Sequence, residues 1–439
     1  MKERTDRWDP GITYVIGHQR PDTDAIASAL GYAWFLNQTG TAVTAARAGQ
    51  PGEQAQFALS RFDLSAPLLL TGVAPTFGHC ARPQGSVGPD APLPAAMARV
   101  AEGDRVVPVV DTDGTPYGVV TSLALARAYT APMNVTAMLA QSCKSIAETP
   151  VTFLASDRIS DHRSQLLRSE TDDFLVVSDT GRFVGMATRS RILQPPRAHL
   201  ILVDHNELSQ AVPDAEEAEI VAVLDHHRLG NPPTAMPIPF VIDPVGSTST
   251  LVAEQCRGRS LELPRGLAGM LLSGVLSDTL VLRSPTTTER DRSITEWLAK
   301  IAGVDVQAYG NELLHAAPGM SQRKADDILD TDRKSYDIGG VHVSIGQVEV
   351  TGLEGMQQRR DELVQALQDR RERENLALSA LMVTDIVTGV SHLLCQGENW
   401  ILTSLPFTRI DDHEFDLDTM VSRKKQLVPT LHAVLEDGR

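Results

Sequence analysis

The chain has 439 residues, enough for about two to four domains, and its 40 Lys and Arg against 56 Asp and Glu leave a net charge of −16. That balance argues against nucleic acid or an acidic membrane surface as a general partner. It leaves room for a small anion held by local cations or metals in a cleft. Cys80, Cys143, Cys256 and Cys395 form no C-x-x-C pair, Met1–Asp6 carries no apolar signal core, and no run approaches the length of a membrane span. The reading is a cytoplasmic protein with reduced thiols.

The first predicted strand is Thr13–Ile16, and the apolar stretch Ala25–Leu36 reads as a buried helix. The turn between them is Gly17-His18-Gln19-Arg20-Pro21-Asp22-Thr23-Asp24. It delivers one imidazole and two carboxylates at the carboxyl end of a strand, where open parallel sheets bind ligands. Oxygen plus imidazole donors suit Mn2+ or Zn2+ better than Ca2+. The plainer alternative is a polar turn with Asp22 or Asp24 capping the helix. A strand near Val43–Ala46, a helix Gly52–Arg61 and an apolar run Leu68–Leu70 continue the alternation of strand and helix, which predicts a parallel sheet flanked by helices.

Ala74 to Pro92 is rich in Pro and Gly and reads as a linker. An internal repeat follows. Val106–Val110 with Gly114, Gly118 and Thr121 recurs as Phe174–Val177 with Gly181, Gly185 and Thr188, the two glycines and the threonine each offset by 67 positions. Each copy reads strand, glycine turn, strand, helix, as a duplicated module sharing a buried face would. Two unrelated β-hairpins are the alternative. Pro195-Pro196 closes this insert, and the first pattern resumes.

Ile201-Leu202-Val203 ends in Asp204-His205-Asn206-Glu207, Val221–Leu224 ends in Asp225-His226-His227, and Phe240–Ile242 ends in Asp243-Pro244. Short apolar runs ending in charge are the mark of buried parallel strands feeding a polar edge. A helix at Ser249–Gln255 follows, with Ser247 or Thr248 as its cap, and then the apolar helix Leu267–Leu276, which stops at Ser277-Asp278-Thr279. Pro318-Gly319 reads as a second linker. Beyond it lie the strand His342–Ile345, a charged helix at Met356–Glu374, a hairpin of Ala380–Thr384 with Val390–Leu394, and the basic run Ser422-Arg423-Lys424-Lys425-Gln426.

His18, Asp22, Asp24, Asp204, His226, His227 and Asp278 thus gather at element ends. They are enough donors for two divalent ions sharing a carboxylate. Such ions, about 3.5–4 Å apart, hold a hydroxide between them and clamp phosphoryl oxygens. His205 reads as a supporting or surface residue. Asp225 is either a cap or a residue that orients a histidine, and Asp243 suits a turn before Pro244. A short basic run is usually a solvated face. In an acidic chain, on a separate domain, Arg423 and its neighbouring lysines also suit phosphate.

These motifs, in this order, resemble the manganese-dependent family II inorganic pyrophosphatases of the DHH phosphoesterase superfamily. The matching stretches are Gly17–Asp24, Asp204–Glu207, Asp225–His227, Ser277–Thr279 and Ser422–Gln426. The repeat resembles a pair of CBS domains, the insert of a regulated subgroup. The resemblance implies an α/β fold. A parallel-sheet DHH domain (1–73 and 197–317) would be interrupted by the CBS pair (74–196) and followed by a smaller α/β domain (320–439). It further implies that His18, Asp22 and Asp204 bind one metal, and that Asp24, Asp204, His226 and Asp278 bind a second, with Asp204 bridging. His227 would face the substrate. Lys334, in Asp332-Arg333-Lys334, and Arg423 and Lys424 would hold phosphate. The implied cofactors are two Mn2+ or Co2+ per subunit, with Mg2+ arriving with pyrophosphate; the implied assembly is a homodimer.

Two departures stand out. Arg20 occupies a position where relatives often carry a smaller polar residue. CBS modules that bind adenosine ribose usually end Gly-x-x-Thr-x-x-Asp, and here Ala124 and Arg191 replace the acid. Regulation by AMP, ADP or ATP around Thr121, Thr188 and Arg191 is therefore an expectation with a missing acceptor. The rival readings are a DHH phosphodiesterase or exopolyphosphatase, and a nucleotide sensor without catalysis.

Overall fold

The computed structural model describes residues 8–130, 134–230, 234, 236–316, 320, 323–350, 352–385 and 388–437. The predicted Pro318-Gly319 linker lies outside them. The chain folds as two compact units. One comprises Met1–Gln19, Tyr32–Gln50 and Pro67–Ile242, the other Arg20–Gly31, Pro51–Ala66 and Asp243–Arg439.

The first unit begins with β1 (Thr13–Ile16), β2 (Val43–Arg47) and β3 (Leu68–Leu69). The repeat supplies β4 (Val106–Val110), β5 (Pro116–Thr121), β6 (Thr152–Leu154), β7 (Asp173–Val177) and β8 (Phe183–Thr188). The unit closes with β9 (His199–Val203), β10 (Glu219–Asp225) and β11 (Phe240–Ile242). Strands β11-β10-β9-β1-β2-β3 form one sheet with every pairing parallel. Residues before and after the insert are therefore neighbours: Ile16 of β1 lies opposite Leu202 of β9. Strand order reverses at β1 and β9, so their carboxyl ends open the crevice that such sheets use for ligands. Tyr14, Ile16, Leu200, Leu202 and Ile220 fill the core beneath.

The repeat is structural. Hairpin β4–β5 leads into the helix Ser122–Thr130, and hairpin β7–β8 leads into Arg189–Leu193, each hairpin carrying one register shift at its turn. Gly114 and Gly181 both adopt positive φ there, which explains the glycine in each turn. The stretch read as a linker is more ordered than its composition suggests. Phe77–Cys80 forms a short helix, and Phe77 is fully buried, stacked on Phe153 at 3.9 Å. One aromatic ring buried in the second repeat's core outweighs the local Pro and Gly content.

The second unit contains the helices Thr248–Gly258 and Arg265–Asp278. The latter is apolar all round and buried from Leu267 to Leu276, as a central core helix is. The first turns of the helix Thr23–Gln38 belong here, where Gly31 leaves room for Leu271. The unit's sheet runs β12 (Lys334–Ile338), β13 (Val341–Val350), β14 (Leu378–Asp385), β15 (Val390–Gly397), β16 (Thr408–Arg409) and β17 (Glu414–Asp416), in the order β12-β13-β14-β15-β17-β16. Only β13 and β14 pair in parallel. Alternate residues of β14 enter two cores, Ala380 and Met382 on one face and Leu381 and Val383 on the other. The charged helix read at Met356–Glu374 is two pieces, Glu354–Gln358 and Arg360–Arg373.

Candidate metal centre

Three adjacent parallel strands, β1, β9 and β10, deliver His18, Asp204 and the pair His226-His227 from their carboxyl ends. Asp204 is 1% exposed and sits in left-handed backbone at φ 61°. That is a conformation Asp tolerates better than most side chains. Its two oxygens face different imidazoles. Oδ2 lies 3.5 Å from His18 Nε2, and Oδ1 lies 3.5 Å from His226 Nε2. Burial alone would raise the Asp204 carboxyl, but hydrogen bonding to His18 and His226 more than reverses this and holds it well below the usual carboxylate range. Asp204, His226 and His227 each offer a donor atom within 4.8 Å of the others. A buried carboxylate with an imidazole near each oxygen is a donor set that suits a divalent cation.

Asp225 supports the pair. It accepts from the His226 and His227 amides at 2.8 and 3.2 Å, from His227 Nδ1 at 2.8 Å, and from Asn206 Nδ2. The bond to Asp225 raises the His227 pKa; Asp225, which burial would push up, is lowered by His227 and Asn206. Asn206 also donates to the Arg228 carbonyl and accepts from the Gly230 amide, so it pins the loop after β10. Of the two sequence readings, Asp225 is the residue that orients a histidine. Asn206 was not singled out, although it stands two residues after Asp204. His205, read as supporting or surface, is buried. Its Nδ1–H donates to the Val203 carbonyl at 2.9 Å, and desolvation pulls its pKa down to about 4, so the ring is neutral.

Asp22, Asp24 and Asp278 lie on the second unit. Asp22 Oδ1 accepts from the Ala25 amide at 2.9 Å, so the capping alternative is true of Asp22. Asp24 is fully buried. Its Oδ2 accepts from the Thr248 amide at 2.6 Å; its Oδ1 accepts from the Ser249 amide at 2.9 Å, from Ser28 Oγ at 3.1 Å and from Ser249 Oγ. Thr248 and Ser249 open a helix whose positive end faces the carboxylate. Asp278 ends the helix Arg265–Asp278, and Leu280, Val281 and Leu282 after it all have φ between 50° and 65°. Three non-glycine residues in left-handed backbone are strained, and such strain persists where surroundings over-determine it.

In the second unit, Lys334 on β12 and Lys424 in the helical turn Arg423–Leu427 are exposed. Arg423, expected to reach a terminal phosphate, is turned inward. It is 5% exposed, and its guanidinium is bonded to Asp332 and to the Ile345 carbonyl. In the repeat, Thr121 Oγ1 donates to Glu148 at 2.9 Å and accepts from the Ala124 amide at 3.0 Å. A cavity of about 250 Å³ beside it is lined by Glu148, Glu170 and Asp173. Thr188 Oγ1 meets Ser190 Oγ at 3.1 Å, and Arg191 is half-buried, with its carbonyl accepting from Cys80 Sγ. Arg20 is exposed.

Residues 12–275 match the DHH family, N-terminal domain, and residues 311–434 match the DHHA2 domain. A Streptococcus mutans protein that carries the name "Probable manganese-dependent inorganic pyrophosphatase" is 38% identical over 234 residues, 53% of this chain and 75% of its own. The chain belongs to this family. Its counterpart in Lactobacillus johnsonii is 37% identical over 240 residues, 54% of this chain and 77% of its own. A crystal structure from Methanococcus jannaschii, assigned to the family II inorganic pyrophosphatases, covers 97% of this chain at a TM-score of 0.52 and 25% identity. The family is the one expected from the five motifs, and the DHH match runs through the repeat. Among the described residues, no helix is long and apolar enough to cross a membrane.

Proposed function

We propose that the chain hydrolyses inorganic pyrophosphate to two phosphates, with Asp204 shared between two divalent cations. The observation that carries this reading is Asp204 itself, buried, ionised and facing His18 with one oxygen and His226 with the other. The donor sets we assign are His18, Asp22 and Asp204 for one ion and Asp24, Asp204, His226 and Asp278 for the other. Manganese is the metal in the relatives' names, and mixed carboxylate and imidazole donors fit it. Bound there, such ions supply Lewis acidity and lower the pKa of water. The protein's own share is positional. Asp225 fixes His227 with Nδ1 protonated, leaving Nε2 to hold or give a proton at the phosphate. Lys334 and Lys424 offer charge to phosphate oxygens. Mg2+ accompanies the substrate in this reading.

Asp204→Asn removes the shared charge. Turnover with Mn2+ is expected to fall roughly a hundredfold or more, measured as phosphate release after metal stripping and Mn2+ add-back. Near-normal turnover would refute the assignment. Parallel assays with tripolyphosphate and a dinucleotide test the exopolyphosphatase and phosphodiesterase alternatives; binding without Mn2+-dependent hydrolysis would favour a sensor.

The repeat is read as a regulatory CBS pair at 74–196, inside a DHH domain at 1–73 and 197–317 and before a substrate domain at 320–439, in a cytoplasmic homodimer. Adenine nucleotides are proposed to act at Thr121, Thr188 and Arg191. The carboxylates lining the cavity beside Thr121 disfavour polyphosphate there, so AMP is expected to bind more tightly than ATP. Calorimetric titration with both checks this, and the absence of binding by either would remove the regulatory reading.

A further inference from the structure

The helix that anchors Asp24 is itself anchored. Thr248, Ser249 and Thr250 open the helix Thr248–Gly258, and all three are fully buried. The amides of the first two hold Asp24. Thr250 Oγ1 turns instead to a second buried carboxylate, Asp291, and donates to its Oδ1 at 2.6 Å. The Gly246 amide, two residues before the helix, donates to both oxygens of Asp291, at 3.1 and 2.9 Å.

Asp291 lies in the first turn of the helix Glu289–Ala302, where it forms a capping box with Thr288. Capping explains the bonds it accepts from the Thr288 amide and hydroxyl, each 2.7 Å. It does not explain the bonds from Gly246 and Thr250, 45 and 41 positions earlier. The approach of the two segments is close. A Cβ on Gly246 would stand 2.9 Å from Asp291 Oδ2 and 2.5 Å from Cγ2 of Thr279, the residue after Asp278. Gly246 is thus wedged between Asp291 and the end of the helix that carries Asp278. Arg290, beside Asp291, grips the same stretch at its two ends, Asp243 at 2.7 Å and Glu254 at 2.9 and 2.6 Å. Burying a carboxylate is costly, and donors gathered from two distant segments offset that cost only while both segments stay in place.

We propose that Asp291 is a positioning residue for the cation assigned to Asp24 and Asp278: it fixes Gly246 and Thr250, so that the two amides between them meet Asp24 in one place. It acts through those residues, not on an ion or on substrate. This rests on the two-cation reading above.

The test uses the full chain stripped of metal and titrated with Mn2+, the free ion being read by electron paramagnetic resonance. Wild type is expected to bind two equivalents. Asp291→Asn keeps the shape but sets an amide against hydrogen-bond donors. One equivalent is expected to bind it as in wild type and the other about 10- to 100-fold more weakly. Thr250→Val removes a single hydroxyl and is expected to weaken the same equivalent by a smaller factor; it carries the test if Asp291→Asn fails to fold. Thr288→Val is the control for capping, and should lower the thermal midpoint while both Mn2+ affinities stay unchanged. Wild-type Mn2+ affinities in Asp291→Asn, or in Thr250→Val where Asp291→Asn does not fold, would overturn the proposal. Weakening in Thr288→Val equal to that in Asp291→Asn would also overturn it, because Asp291 would then act only as a cap. Wild-type protein that binds no second Mn2+ would instead refute the two-cation reading beneath it.

Discussion

His227 Nδ1 donates to Asp225 Oδ1 across 2.8 Å, while the same oxygen accepts the amides of His226 and His227. One buried carboxylate thereby fixes a tautomer, a ring orientation and the turn that carries both histidines. Asp225→Asn keeps the shape but loses the charge, and lets the ring hold its proton on either nitrogen. Turnover of pyrophosphate at saturating Mn2+ is expected to fall about 10- to 100-fold. Nitrogen NMR of the His227 ring should show a mixed tautomer. A single Nδ1–H form at full activity would refute the role.

Gly274 lies where the buried Asp24 needs space. A Cβ at this position would come within 2.8 Å of Asp24 Oδ1 and would also press on Ser249 Oγ. Gly274→Ala gains about 1 kcal/mol of helix propensity and loses about 1–3 kcal/mol to overpacking. A modest net loss of stability is expected. The larger effect falls on Asp24, which is displaced from its helix-end anchor, so Mn2+ should bind about 10- to 100-fold more weakly. Equilibrium dialysis of Mn2+ against wild type checks this.

The strand ends carrying His18, Asp204 and His226 were legible because a parallel strand buried on both faces reads as an apolar run that stops abruptly at charge. The repeat was legible because the turn glycines recur at one spacing, each required by positive φ. What remained hidden depends on contacts between distant positions. Nothing local marks Thr248 and Ser249 as the groups holding Asp24, more than 220 positions away. Arg423 reads, with Lys424 and Lys334, as a phosphate cation, and nothing local shows that its side chain is buried against Asp332. The supposed linker concealed Phe77 because composition is averaged over many residues, whereas one buried ring is enough to order a segment.

All four cysteines are buried, and burial raises each thiol, Cys80 to about 11 and Cys256 and Cys395 to about 12. The thiolate is the reactive form, so native protein at pH 8 should take up no iodoacetamide over an hour. Denatured protein should take up four equivalents by mass spectrometry. Rapid native labelling at Cys256 or Cys395 would mean that their helix or sheet opens locally.

His205 links stability to pH. Its buried ring has a pKa lowered from 6.5 to about 4, chiefly by desolvation, with the His18 charge adding to the effect. Between those values the unfolded chain binds a proton that the folded chain refuses, so stability rises with pH across that window. The contribution is complete above about pH 6.5 and is lost as pH falls toward 4; integrated, it amounts to roughly 3 kcal/mol. The informative quantity is the difference between wild type and His205→Gln, in which contributions common to both proteins cancel. Urea unfolding of metal-free protein at pH 7.5, 6.0 and 5.0 should show wild type losing stability faster than the variant as pH falls. Parallel curves would mean that the imidazole reaches water or a proton acceptor in the folded state.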